Sequence, residues 1–87
     1  MDDLNRIGSQ IREARKEQGL TQAALAREIG ISQATLSLLE NGKIMELGIR
    51  KVIRILDRLG LELAIRPEGA PPTLEELQRE NRDLYPY

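Results

Sequence analysis

Apolar residues recur at Leu4, Ile7, Ile11 and Ala14 with polar residues between them. The spacing i, i+3, i+7, i+10 traces one face of a helix and predicts a first helix over 4–18. Asp2 or Asp3 caps its start, and Gly19 ends it. Thr21 caps a second helix over 22–29, with Leu25, Ala26 and Ile29 inward. Gly30 stops that helix, because the chain must turn sharply and glycine tolerates positive φ. Ser32 caps a third helix over 33–40, which turns Leu36 and Leu39 to the core. Asn41-Gly42 is a turn signal. A fourth helix, 46–59, carries Ile49, Val52, Ile53, Leu56 and Leu59 on a wide apolar face. Arg50, Lys51, Arg54 and Arg58 lie mainly on the other.

The period changes after Gly60. Leu61, Glu62, Leu63, Ala64, Ile65 and Arg66 alternate apolar and polar or small residues, and Pro67 ends the run. Period two predicts a short strand with Leu61, Leu63 and Ile65 on one face. A strand needs a partner for its backbone groups, and no second strand is visible in the chain. The simplest partner is the same strand of a second copy, antiparallel across a two-fold axis. The alternative is an extended segment lying on the helices without ladder pairing. Residues 68–72 form a Gly/Pro linker. Thr73-Leu74-Glu75-Glu76 matches a capping box before a last helix over 74–84. Leu74, Leu77 and Leu84 are few to hold such a helix. Tyr85 and Tyr87 are the only aromatics of the chain. For this tail both disorder and docking on a partner stay open.

Two helices joined by a three-residue turn that contains glycine form a helix-turn-helix. Ala26 is small where the two helices cross. Leu25, Ile29, Ile31, Leu36 and Leu39 bury the angle between them. A merely structural helical pair would also want those apolar residues. It would not need Gly30 with Ser32 as cap, Gln22 and Gln33 opening the two helices, and small polar residues along the outer face. The segments Gly19-Leu20-Thr21-Gln22, Leu25-Ala26, Gly30-Ile31-Ser32-Gln33 and Leu38-Leu39-Glu40-Asn41-Gly42-Lys43 resemble the Cro/repressor family of phage-type regulators, also called the XRE family. The resemblance covers residues 5–60. It implies an all-α fold, a repressor-like bundle of four or five helices, and a dimer on an inverted-repeat operator in double-stranded DNA. The segment 59–67 resembles the strand that follows the fourth helix in HipB-like antitoxins, where strands of two protomers pair. The expected organisation is a DNA-binding domain over 1–60, a dimerisation strand over 61–67, and a linker with a tail over 68–87.

Site roles follow. The third helix is the expected recognition helix, its N-terminal half toward base edges. The Gln33 amide can pair with adenine through a donor and an acceptor together. Ala34 and Thr35 offer methyl contact to thymine, and Thr35 adds a hydroxyl. Ser37 lies one turn on from Gln33 and reaches a base or a phosphate. Leu38 stands where related repressors often carry a polar base-reading side chain, and here it can only touch a methyl group or pack. Gln22 opens the second helix, where free N–H groups and the helix dipole attract an anion. The resemblance places a phosphate contact there. Ser32 is mainly a cap, with a phosphate hydrogen bond within its means. The resemblance also brings Asn41, Gly42 and Lys43 to the DNA backbone through N–H groups and side chains. Arg50 and Lys51 are further phosphate candidates, and Arg27 reads as solvated. Arg15 and Glu40 match a pair that ties the first helix to the recognition helix in related repressors, which implies a structural ion pair.

Composition sharpens this picture. The net charge of −1 over 87 residues is unusual for a DNA binder. Its distribution is not uniform: residues 5–60 hold ten basic and six acidic groups, net +4, and residues 61–87 hold three basic and six acidic groups, net −3. The asymmetry suggests a basic body with an acidic tail, and ordinary solvated helix charge is the alternative reading. Cysteine and histidine are absent. Disulfides and thiolate metal sites are therefore excluded, and the usual acid–base catalyst is missing. Catalysis, cofactors and a metal centre are not expected. No apolar run approaches the roughly 20 residues of a membrane span. The acidic, polar start does not read as a secretory signal, so the expected location is the cytoplasm, at the nucleoid. The strand and tail favour an antitoxin that represses its own operon and neutralises a toxin, a HipA-like kinase being the expected kind. A stand-alone phage-type repressor and an interaction module without DNA binding are the alternatives. The latter would carry acidic residues on the recognition face, and Gln33, Ala34, Thr35 and Ser37 include none.

Overall fold

The computed structural model describes residues 3–68. These form four helices, α1 (Asp3–Glu17), α2 (Gln22–Ile29), α3 (Gln33–Glu40) and α4 (Ile49–Leu59). No strand occurs among the described residues. The capping box at Thr73, the helix expected over 74–84 and the terminal tyrosines lie outside them.

Local chemistry sets the helix ends. The Thr21 Oγ1 accepts from the Ala24 N–H at 3.0 Å, and the Ser32 Oγ accepts from the Thr35 N–H at 3.0 Å. Each hydroxyl satisfies one N–H that has no partner inside its helix. Gly30 takes φ 87° at the end of α2 and donates to the Ala26 carbonyl. The next N–H, of Ile31, reaches the same oxygen at 3.0 Å. The chain thereby reverses into α3 within three residues.

The core lies where the four helices meet. Ile11, Leu25, Leu36 and Ile55 are fully buried, one from each helix. Ala26, Ile29, Leu39, Leu56 and Leu59 complete it, and Ile7, Ala14, Leu20, Ile31, Ile44, Leu47, Val52 and Leu61 pack on its edge. At roughly 25 cal/mol per Å² of apolar area removed from water, this burial is the main favourable contribution to folding. Two polar contacts bind the helix ends. The Gln18 Nε2 donates to the Leu59 carbonyl at 2.8 Å, and Arg58 pairs with Glu28 at 2.5 Å.

The fourth helix differs from expectation in both start and facing. It begins at Ile49 rather than at residue 46. Gly48 occupies the N-cap in extended conformation and has no side chain to cap with. A glycine inside a helix costs about 1 kcal/mol relative to alanine, so the helix starts just after it. Ile44 and Leu47 pin the non-helical stretch by packing on the core. Ile55, Leu56 and Leu59 face inward, whereas Ile49 and Ile53 remain 59% and 42% exposed. The helix carries more apolar residues than one face can bury.

The segment 61–67 departs likewise. It carries neither helix nor strand. Leu61 packs on the core edge, while Leu63 and Ile65 are exposed. The three residues expected on one face are therefore divided between the body of the molecule and its surface. A ladder needs a second strand, and the described residues supply none.

Gly8, inside α1, fixes how closely α1 crosses α3. A Cβ built there would lie 2.3 Å from the Leu39 carbonyl oxygen and 2.8 Å from that of Glu40. Both are backbone atoms and cannot rotate aside. In an open helix Gly→Ala stabilises by about 1 kcal/mol. Gly8→Ala should instead destabilise by about 1–3 kcal/mol through overpacking, read as a lower urea midpoint in circular dichroism.

Candidate nucleic-acid interface

The interface is built from the start of α2, the first half of α3 and the loop after it. The Ser32 cap fixes the entry of α3. Its Oγ also lies 2.8 Å from the Thr35 Oγ1, so the Thr35 hydroxyl is held by the cap. Leu36 and Leu39 are buried beneath the helix. Their burial leaves Gln33 and Ala34 exposed, with Thr35 and Ser37 half-buried beside them. Leu38 is 45% exposed on the same helix. The one acid of α3 is Glu40, which is buried, so no carboxylate stands on the exposed face of α3.

Glu40 is the centre of a polar cluster. The Arg15 Nε donates to its Oε2 at 2.7 Å, and the Arg15 Nη2 donates to its Oε1 at 3.0 Å. This bidentate geometry matches the guanidinium fork to both carboxylate oxygens. The Arg15 Nη1 donates to the Leu20 carbonyl at 2.7 Å, which fixes the α1–α2 turn. The Gln22 Nε2 is the third donor to the Glu40 carboxylate, meeting its Oε1 at 3.1 Å. Among the described residues no buried side-chain nitrogen or oxygen lacks a hydrogen bond. Arg15 and Glu40 thus join α1 to α3, and Gln22 brings in α2.

This arrangement adds to what the residue types suggested for Gln22. An amide nitrogen carries two N–H groups. One is committed to Glu40, so the side chain is held at the start of α2 with its other N–H left for an outside acceptor. The main-chain N–H groups of Gln22 and Ala23 have no acceptor within the helix. Donors therefore converge at this terminus.

The loop after α3 is folded back on its helix. The Asn41 N–H donates to the Ser37 carbonyl at 3.0 Å, Gly42 to Leu39 at 3.1 Å, and Lys43 to Leu38 at 2.9 Å. The Asn41 side chain donates to the Ser37 carbonyl at 2.8 Å. These bonds satisfy the last carbonyls of α3 and occupy the N–H groups that were expected to meet phosphate. Within this loop the exposed Lys43 side chain is the group that can supply a cation. Gly42 takes φ 70°, and a Cβ on it would collide with Asn5. Its place follows from that close approach to α1.

Sequence reasoning missed Gly8, Gln18 and Ile55. A glycine amid the apolar stripe of a helix is the available signal for Gly8. Gln18 carries no such mark. Ile55 is hidden by the excess of apolar residues on α4.

Among the described residues no cluster of acidic side chains could hold a metal ion, and no helix is long and apolar enough to cross a membrane.

Residues 11–65 match the family model described as Helix-turn-helix, which is of the XRE type. The chain belongs to this family. The match runs from the middle of α1 through α4 and ends in the segment after it. No curated protein matches the chain as a relative. Membership makes this XRE-type protein a DNA-binding transcription regulator.

The buried pair yields a direct test. Removing one partner of a buried ion pair leaves the other charge uncompensated, at a cost of about 3–5 kcal/mol. Glu40→Ala should show that loss in urea denaturation, because the guanidinium keeps only the Leu20 carbonyl. The double variant Arg15→Met, Glu40→Leu should lose markedly less, since both charges leave together.

Proposed function

We propose that this regulator is a sequence-specific repressor acting as a homodimer on an inverted-repeat operator. One observation carries the reading: the exposed, acid-free start of α3, where Gln33 and Ala34 stand clear of the body beside a polar cap. In this reading α3 lies in the major groove. Gln33 pairs with adenine, Ala34 and Thr35 touch thymine methyls, and Ser37 reaches a base or the backbone. Gln22, Ser32 and Lys43 position the protein on phosphates, with the Lys43 ammonium and the α2 N-terminus as the main donors, while Asn41 and Gly42, whose N–H groups are committed to α3, shape the loop that carries Lys43. A two-fold dimer presents two α3 helices to successive major grooves, ~34 Å apart.

The same reading assigns the protein to the cytoplasm at the nucleoid and gives it the role of antitoxin in a type II toxin–antitoxin pair. The support is compositional. The body is net basic, and residues 61–87 are net acidic and end in both tyrosines. A lone repressor has no need of such a tail. A HipB-like antitoxin would use it to hold its toxin, a HipA-like kinase, while the dimer represses the shared operon. Pairing of Leu61, Leu63 and Ile65 across the dimer belongs to the same proposal.

Two measurements test it. Gln33→Ala should lose ~1–3 kcal/mol on the operator and much less on random duplex, measured by fluorescence anisotropy. Equal loss on both would make Gln33 a positioning contact only. Truncation after Pro67 should leave operator binding intact and abolish co-purification of the partner encoded beside it. A full-length protein that co-purifies with nothing would return the reading to a stand-alone phage-type repressor.

A further inference from the structure

Helix α3 buries Leu36, Leu39 and Glu40. At about 100° per residue, the line opposite those three runs through Ala34 and Leu38, one turn apart. Gln33 and Ser37 flank that line on one side, and Thr35 flanks it on the other. The outermost line of α3 is therefore apolar. Leu38 is 45% exposed and belongs neither to the core nor to its edge. A single exposed leucine needs no explanation by itself. This one stands on the helix face that carries Gln33 and Ala34, and no carboxylate shares that face. The polar groups beside it are partly spent. The Thr35 hydroxyl lies 2.8 Å from the Ser32 Oγ. The Asn41 amide donates to the Ser37 carbonyl at 2.8 Å and reaches the Ser37 Oγ at 3.4 Å. What α3 presents outermost is a pair of aliphatic groups, with the Gln33 amide at their side.

We infer that Leu38 is a specificity-determining residue that reads the 5-methyl group of a thymine in the major groove. The inference rests on the reading of α3 as the DNA-facing helix and says which feature of the base pairs the middle of that helix selects. Three points favour a thymine methyl as the contact. The first is chemistry. The leucine side chain has no donor or acceptor, and of the four bases only thymine carries a methyl group at the major-groove edge. Donors and acceptors of another base would lose water against Leu38 without gaining a partner. The second is burial. Leu38 is wet in the free protein, so covering it with a methyl group adds a favourable contribution that no contact within the chain has already taken. The third is placement. Leu36 and Leu39 are held in the core on the opposite side of α3, so Leu38 projects from a fixed support. Ala34, one turn earlier, is too short to shield it from the groove.

A duplex selected from a random-sequence pool by the full-length protein provides the probe. Replacing each thymine in turn by uracil removes one methyl group and leaves the base pair intact. At one or more positions this should weaken binding by the parent about fourfold in fluorescence anisotropy, the effect of leaving one methyl-sized group of apolar contact unmade. In Leu38→Ala the same replacement should cost almost nothing at the thymine that faces Leu38, because the two changes remove one contact. Leu38→Met should keep the penalty, and Leu38→Gln should lose it. All three variants should melt with the parent in circular dichroism, since the side chain lies outside the core. A uracil penalty unchanged in Leu38→Ala at every thymine would overturn the inference and assign the methyl contacts to Ala34 and Thr35, with the DNA-facing role of α3 left standing. No uracil penalty at any position, with Gln33→Ala still losing the selected duplex, would overturn it likewise. A full-length protein that selects no sequence from the pool would remove the reading on which the inference rests, and the inference with it.

Discussion

Arg15 leaves α1 and meets Glu40 at the end of α3, with the Leu20 carbonyl and the Gln22 amide completing the cluster. The Glu40 side chain keeps only 1% of its exposure. Taking two charges out of water costs several kcal/mol per ion, and their attraction offsets that only with good geometry and further hydrogen bonds. Both conditions hold here: the contact is bidentate, and two more groups, the Leu20 carbonyl and the Gln22 amide, hydrogen-bond to it. The apolar core is small, with nine buried hydrophobic residues. Apolar contacts alone tolerate sliding, whereas a forked ion pair is satisfied in one relative placement. The angle of α3 against α1 and α2 therefore depends on this pair. So does the height at which Gln33 and Ala34 stand above the body.

That dependence links the core to the outer face. Gln22 belongs to the buried cluster and to the start of α2 together. Glu40 ends the same helix whose first residues are exposed. Gly8 lets α1 close on Leu39 and Glu40 without a side chain between them. Within α3 the C-terminal half is held and the N-terminal half is displayed.

Much of this was legible in the chain because its causes are local. Thr21, Ser32 and Gly30 act within a few residues, and the bounds of α2 and α3 follow from them. Other features were decided by tertiary packing and could not be read from spacing. Helix α4 offers apolar residues at 49, 52, 53, 55, 56 and 59, more than one core can take. Which of them turn inward depends on where α1 and α2 lie, and Ile55 won over Ile53. Leu61 packs on the core edge, and the strand that alternation suggested, which needs a second copy to pair with, is not formed within the single chain. At the candidate interface the residue types were legible, but their commitments were not. The N–H groups of Asn41, Gly42 and Lys43 cap α3, and the Thr35 hydroxyl lies on Ser32. This shifts the expected phosphate chemistry to the Lys43 side chain and the start of α2.

DNA meets this molecule, in the proposed function, through the start of α3, flanked by α2 and the following loop. Backbone amide shifts followed by NMR during titration with the operator duplex test it most directly. The largest changes are expected at 32–37, with smaller ones at Gln22 and 41–43 and little at Lys51 and Arg54. Changes centred on the basic flank of α4, with 32–37 unmoved, would contradict it.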